Sequence, residues 1–541
     1  MITLSTFLFF TALVAFLTWR ITRGQITNDA TDYFLAGRSL TGVFIAGSLL
    51  LTNLSTEQLV GLNGGAFKEG LSVMVWEVVA AISLVVLALF FLPRYLKSGI
   101  ATIPQFLEER YDSRVRATTT GIFIVAYMLI LLPFVLYLGA TGLSKMLDLQ
   151  NNLQLTEAGT IWLVVSAIAL IGSAYAIFGG LRAVAVSDTF NAIGLLIGGI
   201  MITFFSLKYA AGDDGSLLGV FDKIREADPD AMKSLGAADE DVHWPTMFTG
   251  VLLLNFFYWT TNQQIIQRTF GAKSLAEGQK GVLLASFFKI LAPIILVVPG
   301  LVAAYMFTQD TDFAALIGTE EGNDGNVYGA LVRTVLPAPL TGFFAAVVVG
   351  SILSTFNSVL NSSATLFSLG IYQKHLRPEA SHAQVVKSGK ICSVLVTIFA
   401  IVAAPLVFMG RDGLFAFFQK LNGVYFIPLL AIIMFGMFNK TANGTSALIT
   451  LIVGLVMMSF GTFFKDVADI GAMLGSDYHY MGAVFVILLV LQYLLGTSMK
   501  LSEPYVQKDA GVVDLTPWKH ANIVGGALVL LVVAIYVVFA R

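Results

Sequence analysis

A polar run near the start of the chain interrupts a segment that has the apolar length of a membrane-spanning helix. Apolar side chains precede the run at 43–51 and follow it at Leu59 and Val60. An unpaired polar group in hydrocarbon costs several kcal/mol, so polar groups at this depth must face other helices or water. Hydrogen bonding between helices needs fewer polar groups than this run contains, so we expect a binding site. Its polar members are Thr52, Asn53, Ser55, Thr56, Glu57 and Gln58.

A second polar stretch places hydroxyl groups on one face of a predicted helix. Ser351, Ser354, Thr355 and Ser358 are related by helical spacings of three and four residues, so they share one face. Hard oxygen donors bind sodium, and an unwound helical turn offers free backbone carbonyls. The pattern therefore suggests a sodium site, although small hydroxyl residues also allow close helix packing. The candidate ligands are the carbonyls of Leu51, Leu54 and Ser351 and the hydroxyls of Ser354 and Thr355.

Two ionisable residues and several amides indicate a solute pocket. Glu77 follows Trp76 inside one predicted helix, and Lys289 lies inside another, where neither charge is compatible with lipid. The two charges either neutralise each other or face a pocket. Mixed donors and acceptors suit a neutral polyhydroxylated solute, because each hydroxyl both gives and accepts hydrogen bonds. The amides are Gln58, Asn255, Asn262 and Gln419, and the aromatic residues that could stack on a sugar ring are Tyr258, Trp259, Phe417 and Phe418.

Asp188 is a further candidate, at the start of a predicted helix. It could guide sodium on the inner side of the membrane. It could equally cap the helix, with Arg182 as its partner, since an acidic residue at a helix start is stabilising. The sequence leaves both interpretations open.

Composition identifies the class of protein that must position these residues. Hydrophobic residues make up 57% of the 541 residues and charged residues 12%, against roughly 25% charged in soluble domains. We therefore predict a polytopic, all-α membrane protein. The single Cys392, five scattered histidines and a net charge of −2 provide no disulfide framework, metal cluster or nucleic-acid surface. No nucleotide loop or nucleophile with its base is present, so we do not expect an enzyme.

Apolar windows of about 20 residues predict fourteen spans within one transmembrane domain, 1–541. A leading helix at 3–22 is expected to be retained, because Arg20 and Arg23 follow it rather than precede it. The first half of the core, 41–210, contains helices 1–5 at 41–66, 70–96, 116–146, 157–178 and 184–210. After an outer loop at 211–243, the second half, 244–437, contains helices 6–10 at 244–268, 277–307, 340–372, 385–409 and 413–437. The flanking helices 11–13, in 444–540, are predicted at 444–463, 478–497 and 519–540.

Helix 6 is polar at its centre, as helix 1 is. Its central residues, 255–264, contain two threonines and four amides, namely Asn255, Asn262, Gln263 and Gln264. Five helices separate the two interruptions, so the two spans run in opposite directions. Paired, interrupted helices at matching places in two halves are typical of transporters built from inverted repeats. We therefore predict a five-plus-five core with discontinuous helices 1 and 6 and a site between them.

Basic residues predict the orientation of the chain. With the N-terminus outside, twenty lysines and arginines, Arg268 among them, fall in inner loops and eleven in outer loops. The loop 211–243 carries nine acidic residues, which suits an outer face. The sequence therefore places the N-terminus outside.

Several motifs resemble those of the sodium:solute symporter family, in particular its sodium/sugar cotransporters. The segment 32–40 resembles the family's entry motif, and 178–184 with Asp188 resembles its helix 4–5 segment. The segment 361–367 with Tyr372 resembles its helix 8 signature, and 262–269 is similar to bacterial sodium/galactose symporters. The resemblance covers nearly the whole chain and implies a sodium-coupled sugar symporter, in a bacterial inner membrane, that works by alternating access.

The resemblance also implies roles for individual residues. Sodium would be bound by the carbonyls and hydroxyls named above, with Asp188 on an auxiliary sodium path. Tyr258 would be an inner aromatic gate. Sugar contacts would come from Gln58, Glu77, Asn255, Lys289 and Gln419, supported by Asn53, Ser55 and Glu57.

Three positions depart from the galactose symporters and leave the solute open. Trp76 and Phe257 stand where those proteins have tyrosine, and Ala80 stands where they have serine. These changes remove hydroxyls near the solute and leave the sodium ligands unchanged. Sodium symport of a sugar acid, amino acid or vitamin acid therefore stays an alternative, as do proton coupling and a sugar-gated sensor without net transport.

Overall fold

The computed structural model of the chain is a bundle of helices. It describes residues 2–22, 30–212, 215–237, 240, 242–318, 324–410, 414–464 and 474–540. Within these ranges the helices are joined by turns and by isolated bridges such as Leu40 with Ala272, and no strand is formed. The structure therefore confirms the all-α fold class.

The first half of the bundle begins with the leading helix, Ile2–Thr22. Helix 1 consists of Gly42–Asn53 (helix 1a) and Thr56–Glu69 (helix 1b). Helix 2 comprises Val75–Val86, a π-helical turn at Leu87–Phe91 and Leu92–Ser98. Helix 3 comprises Ser113–Ala126, a π-helical turn at Tyr127–Leu131 and Leu132–Met146, and one helix, Glu157–Ala211, takes the place of helices 4 and 5.

The second half repeats the broken pattern. Helix 6 consists of Gly250–Thr260 (helix 6a) and Gln263–Phe270 (helix 6b). Helix 7 comprises Leu275–Leu291, Pro293–Leu296 and Val298–Gln309, and helix 8 runs through Ala338–Thr365 into a π-helical segment, Leu366–Leu376. Helices 9–13 are His382–Phe408, Leu414–Phe438, Gly444–Phe463, Asp477–Ser498 and Ala521–Phe539.

Among the described residues, eleven helices are long and apolar enough to cross a membrane, and the bent pair Leu275–Leu291 and Pro293–Gln309 makes a twelfth span. The predicted number, fourteen, is larger because it counts helices 1 and 6 as full spans. Helix 1a is a short apolar helix of 12 residues, and the halves of helix 6 have 11 and 8 residues. The two predicted interruptions account for the difference.

The breaks follow from local backbone geometry. In helix 1, Leu54 (φ −74°, ψ 59°) and Ser55 (φ −98°, ψ −171°) leave the helical region, and in helix 6 Asn262 is extended (φ −67°, ψ 119°). Serine and asparagine are common where a helix begins, although neither side chain caps its own helix here, because Ser55 donates to Glu57 and Asn262 accepts from Tyr127. Each break thus lies at a residue type that tolerates it.

The structure corrects two parts of the predicted layout. The predicted gap between helices 4 and 5 is helical, so Glu157–Ala211 is one hydrogen-bonded element of 55 residues that contains two spans, Glu157–Ala174 and Leu181–Ala211. The prediction separated the two helices by apolar windows, which do not show whether the connection between two spans is helical. The outer loop 211–243 also contains a helix, Gly219–Ala227, whose nine residues are too short to register as an apolar span.

Gly70 sets the turn between helices 1b and 2. It has a positive φ of 75°, and a Cβ atom there would lie 2.6 Å from the carbonyl oxygen of Ala231. Leu71 donates a backbone hydrogen bond of 2.8 Å to the same oxygen. The turn is thereby joined to the outer loop, and it fixes the direction in which helix 2 enters the core.

We predict that Gly70→Ala destabilises the protein by about 1–3 kcal/mol, because alanine is strained at positive φ and its methyl group collides with Ala231. Gly121→Ala is the control, since a Cβ atom at this helical glycine has open space around it and alanine favours a helix. Thermal unfolding of the purified variants in detergent measures both effects. Equal stability of the two variants would contradict the role of the turn.

Candidate functional site

A small cavity lies at the centre of the bundle, where the breaks of helices 1 and 6 face each other. Its volume is about 40 Å³, which is room for a water-sized molecule rather than a sugar ring. Helices 1, 2, 3, 6a and 10 each contribute lining residues. These are Asn53, Glu57, Gln58, Trp76, Glu77, Leu131, Leu254, Asn255, Tyr258, Trp259, Phe418, Gln419, Asn422 and Phe426.

Nine of the twelve residues expected to bind a solute line this cavity. The acids Glu57 and Glu77 and the amides Asn53 and Asn255 are buried, while Gln58, Tyr258 and Gln419 are partly accessible. The residues come from four helices that are distant in sequence. The structure thus brings most of the predicted set together. Three members do not line the cavity: Ser55, Asn262 and Lys289.

Lys289 is fully buried, and its ammonium group is neutralised from two sides. It donates to Glu77 Oε2 at 2.5 Å and to Asn53 Oδ1, and it lies 5.2 Å from the centre of the Trp259 ring. A buried charge needs such partners, because desolvation is costly. Lys289 and Glu77 thus pair, which is one of the two interpretations that the sequence left open, and the pair also holds the end of helix 1a.

Ser55 and Asn262, which also do not line the cavity, stabilise the breaks. Ser55 donates to the Glu57 carboxylate two residues later, at the start of helix 1b, where an acidic group is also favoured by the helix dipole. Asn262 Oδ1 accepts from Tyr127 Oη at 2.5 Å, and the same Tyr127 oxygen accepts from the backbone N–H of Gln264 at 3.0 Å. Helix 3 therefore supports the break in helix 6.

The cavity also contains residues that sequence reasoning did not select. Asn422 donates to Gln419 Oε1 at 3.2 Å and accepts from Tyr425 Oη at 3.3 Å. It lies three positions after Gln419, so helical spacing could have placed both amides on one face. Leu131, Leu254 and Phe426 complete the wall, and their types do not distinguish them from other apolar core residues.

Aromatic side chains cover one side of the cavity. Trp76 makes edge-to-face contacts with Phe415 of helix 10 and Tyr478 of helix 12, with ring centres 5.8 and 5.7 Å apart. Trp76 is 6% exposed. Entry of a ring-sized solute from this side therefore requires these rings to separate.

The break in helix 1 frees the two carbonyls predicted to bind sodium. In a continuous helix the N–H of Ser55 would bond to Leu51, and that of Gln58 to Leu54. Ser55 instead donates to the Asn53 carbonyl at 2.7 Å, and Gln58 donates to the Ser55 carbonyl at 3.0 Å. Leu51 and Leu54 have thus lost their helical partners.

Helix 8 contacts helix 1a through its hydroxyl face. Thr355 donates to the Thr52 carbonyl at 2.8 Å, and the hydroxyl groups of Ser358 and Thr52 lie 3.1 Å apart. The hydroxyls of Ser351 and Ser354 are buried without a hydrogen-bond partner among the described residues, although Ser354 lies close to Asp188. The Ser351 carbonyl belongs to the continuous helix Ala338–Thr365.

Asp188 is fully buried and lies inside the helix Glu157–Ala211, so it does not cap a helix start. It accepts a hydrogen bond of 2.6 Å from Ser48, and Arg182 donates to Ser39 instead. The capping interpretation is therefore wrong. Ser48 in turn accepts from Arg268 Nε at 3.1 Å.

The position of Arg268 differs from the one that the orientation prediction assumed. It was counted among inner-loop residues, but its side chain is fully buried in helix 6b. Its guanidinium also donates to the Gln264 carbonyl and to Ser358. Arg268 thereby joins helices 1a, 6b and 8 beside Asp188, and the sequence offered no periodic signal for this.

The opposite side of the cavity is closed by helix 6b. Gln267 donates to the Phe34 carbonyl at 2.9 Å and to Thr365 at 2.8 Å, and Gln263 donates to the Ala101 carbonyl at 3.1 Å. Arg38 donates to the carbonyls of Gly99 (2.6 Å) and Phe270 (3.2 Å). The segment 32–40, the helix 2–3 connection and helix 8 are thus tied to one another on this side.

Comparison with known proteins decides the family. The sequence profile of the sodium:solute symporter family matches residues 33–454. The chain belongs to this family. Its members are sodium-coupled transporters and not enzymes, and the many apolar spans make this chain an integral membrane protein with sodium indicated as the coupling ion.

Curated relatives cover most of the chain. The uncharacterized symporter YidK of Escherichia coli (strain K12) is 41% identical over 98% of this chain and 90% of its own length. The sodium/glucose cotransporter of Vibrio parahaemolyticus is 31% identical over 81% of this chain and 80% of its own length. The human sodium/myo-inositol cotransporter is 29% identical over 82% of this chain and 63% of its own length.

A solved structure shares the fold. A substrate-bound, outward-open sodium-coupled sialic acid symporter superposes with a TM-score of 0.76 at 20% identity, covering 94% of this chain and 99% of its own. The inverted five-helix repeats of such transporters confirm the predicted core architecture of this family member.

We predict that Lys289→Met destabilises the protein by about 3–5 kcal/mol, because it leaves Glu77 buried without its partner. The double variant Lys289→Met/Glu77→Leu should regain most of this loss, since a well-packed apolar pair replaces the ion pair. Thermal unfolding in detergent measures both.

The matched control is Lys280→Met on the same helix. Its ion pair with Glu277 spans 2.8 Å but is 45% and 25% exposed, so its loss should cost at most about 1 kcal/mol. Similar losses for the two single variants, or no recovery in the double variant, would refute the importance of the buried pair.

Proposed function

We propose that this protein is a sodium-coupled symporter that takes up a neutral, polyhydroxylated ring compound, a hexose such as galactose or glucose or a close sugar derivative. The observation that carries the proposal is the donor set of the central cavity. Five amide side chains and two carboxylates line it together with Trp76, Tyr258 and Trp259. Such groups can accept and donate several hydrogen bonds, while the aromatic faces suit the apolar face of a sugar ring.

The charges around the cavity support a neutral solute. Among its described lining residues no lysine or arginine is present. The nearest cation, Lys289, is already bound by Glu77 and Asn53. A carboxylate-bearing solute would require an available cation, so the alternative of a sugar acid or amino acid is less well supported. The sugar and cyclitol cotransporters among the relatives point in the same direction.

The proposed sodium site lies on the other side of the helix 1 break. Its ligands are the carbonyls of Leu51, Leu54 and Ser351 and the hydroxyls of Ser354 and Thr355. The freed carbonyls of helix 1 and the contact between Thr355 and Thr52 support it. Asp188, beside Ser354, would serve as the auxiliary acidic group on the path of sodium.

Coupling then follows from shared residues. The solute would contact Asn53 and Gln58 on one face of the break, and sodium would bind Leu51 and Leu54 on the other. Ordering of the break by one ligand lowers the entropic cost of binding the other, and this coupling is reciprocal. We place the N-terminus and the acidic loop 211–243 outside, so that both ligands enter by the aromatic side near Trp76.

We predict that proteoliposomes containing the protein accumulate one labelled hexose or cyclitol above equilibrium only under an inward sodium gradient. The panel should include glucose, galactose, myo-inositol, a sugar acid and an amino acid, with choline replacing sodium as the control. Accumulation of the acid or amino acid alone would overturn the solute assignment. Accumulation driven by a proton gradient without sodium would overturn the coupling ion, and equilibration without accumulation would indicate a channel-like sensor.

We predict that Thr355→Ala raises the sodium concentration for half-maximal effect by about tenfold or more, since it removes one proposed ligand and its bond to Thr52. Sodium protection of the folded state against heat provides the readout, because a bound ion stabilises the protein in proportion to its affinity. Thr450→Ala is the control, since this buried hydroxyl bonds only within helix 11 in the described structure, to the Ser446 carbonyl at 3.0 Å. Equal sodium protection in both variants would show that Thr355 is a packing residue.

A further inference from the structure

A groove much larger than the solute cavity lies on the side of the bundle, between the leading helix, Glu157–Ala211 and helix 8. Its volume is about 530 Å³, within the range of about 300–1,000 Å³ that is typical of ligand sites. Of the residues proposed to bind sodium or solute, only Ser354 lines it. Its walls are mainly apolar and include Phe10, Leu17, Phe190, Ile197, Phe343 and Leu353.

The groove opens to the bilayer rather than to water. Leu13, Ile193 and Ile197 line it and are 38%, 52% and 57% exposed, and each belongs to a membrane-spanning helix. Lipid chains are the solvent for such surfaces. The groove is thus continuous with the lipid-facing surface of an integral membrane protein, so a hydrocarbon chain is the occupant that its position selects.

Polar atoms inside the groove distinguish it from an ordinary gap between helices. Thr18 Oγ1 and Asn357 Oδ1 are buried along its lining and form no hydrogen bond within the described part of the chain, and the Ser354 hydroxyl, which lies close to Asp188, also lines it. Thr18 lies in the last turns of the leading helix, and Arg20, exposed, lies in the final turn. A basic side chain at a membrane surface attracts an anionic lipid headgroup by about 1 kcal/mol.

We propose that this groove binds one acyl chain of an anionic phospholipid, with its phosphate near Arg20 and its chain running from Thr18 towards Phe10. The eight residues between those positions span about 12 Å of helix, so the chain would be held over a substantial part of one leaflet. The leading helix thus forms one wall of the groove, and Glu157–Ala211 and helix 8 form the rest.

The site also reaches the helix that carries the proposed sodium ligands. Ser354 lines the groove and is one of those ligands. When its hydroxyl turns towards sodium, a polar atom leaves the groove, and the hydrocarbon chain then meets a more apolar wall. Sodium and the lipid chain therefore favour each other's binding, and this part of the inference rests on the proposed sodium site.

Photolabelling tests the binding site directly. The purified full-length protein is reconstituted in phosphatidylcholine vesicles that contain a phosphatidylglycerol with a photoreactive group on one acyl chain. Mass spectrometry then locates the labelled residues. Labelling of Leu13–Leu17 and Ile193–Ile197 should saturate and be displaced by unlabelled phosphatidylglycerol, whereas labelling of the lipid-facing Ile523 and Leu530 on helix 13 should not saturate.

A pair of substitutions on one helix face separates specific binding from general contact with lipid. Ala174 lines the groove and is exposed, so Ala174→Trp should fill the groove without disturbing the core. Ala167, two turns away and also exposed, lies outside the lining, so Ala167→Trp is the control. We expect about a tenfold loss of groove labelling in Ala174→Trp alone, which corresponds to about 1.4 kcal/mol.

Three outcomes would overturn the proposal. Labelling of the groove that does not saturate would mean ordinary boundary lipid, and equal labelling in both tryptophan variants would place the chain elsewhere. Replacement of sodium by choline should lower groove labelling about fivefold and leave helix 13 unchanged. An unchanged groove signal would remove the link to sodium. None of these measurements requires transport, so their failure is distinguishable from failure of the proposed function.

Discussion

The interaction on which the centre of this protein depends is the burial of Lys289 against Glu77 and Asn53. A lysine in the middle of a membrane-spanning bundle is tolerated only when its charge is compensated. Glu77 supplies the charge, and Asn53 supplies a second acceptor at the last residue of helix 1a. Three helices thereby meet at the point where helix 1 unwinds. Because the pair satisfies its own charges, the cavity beside it presents amides and carboxylates without a free cation.

The unwound turn of helix 1 presents polar groups both to the cavity and to helix 8. Towards the cavity it presents Asn53, Glu57 and Gln58, and towards helix 8 it presents backbone carbonyls and Thr52. A continuous helix could not do this, since its carbonyls would be bonded within the helix. If sodium and solute bind as proposed, each orders a different face of one flexible turn. Energetic coupling then requires no signal over a distance, because the two ligands share the element that they order.

Much of this arrangement was predictable because hydrocarbon penalises polar groups so strongly. The polar centres of helices 1 and 6 predicted both breaks. Glu77 and Lys289 had to have partners, since an isolated charge in either helix would be unstable, but the sequence left open whether they pair or face a pocket. Side chains whose role depends on how deeply the fold buries them were less predictable. Arg268 is indistinguishable by sequence from an inner-loop arginine, yet it is buried within helix 6b beside Ser48 and Asp188. The helical continuity of Glu157–Ala211 and the lateral groove depend on packing between distant helices, for which hydropathy contains no signal.

The two kinds of polar contact around the cavity differ in strength, and this difference suggests which parts move. A buried ion pair costs about 3–5 kcal/mol when one partner is removed, so Lys289 and Glu77 should stay together through the cycle. The segment 32–40 and the helix 2–3 connection are instead held to helix 6b by neutral hydrogen bonds from Gln263 and Gln267, each with a net value of about 0.5–1.5 kcal/mol because water can replace the partner. Arg268 meanwhile keeps helix 6b joined to helices 1a and 8. Arg38, whose bonds are stronger, lies at the partly exposed edge, where water can also solvate it. Opening on this side therefore exchanges protein hydrogen bonds for water, while the rigid pair keeps the break in helix 1 in register.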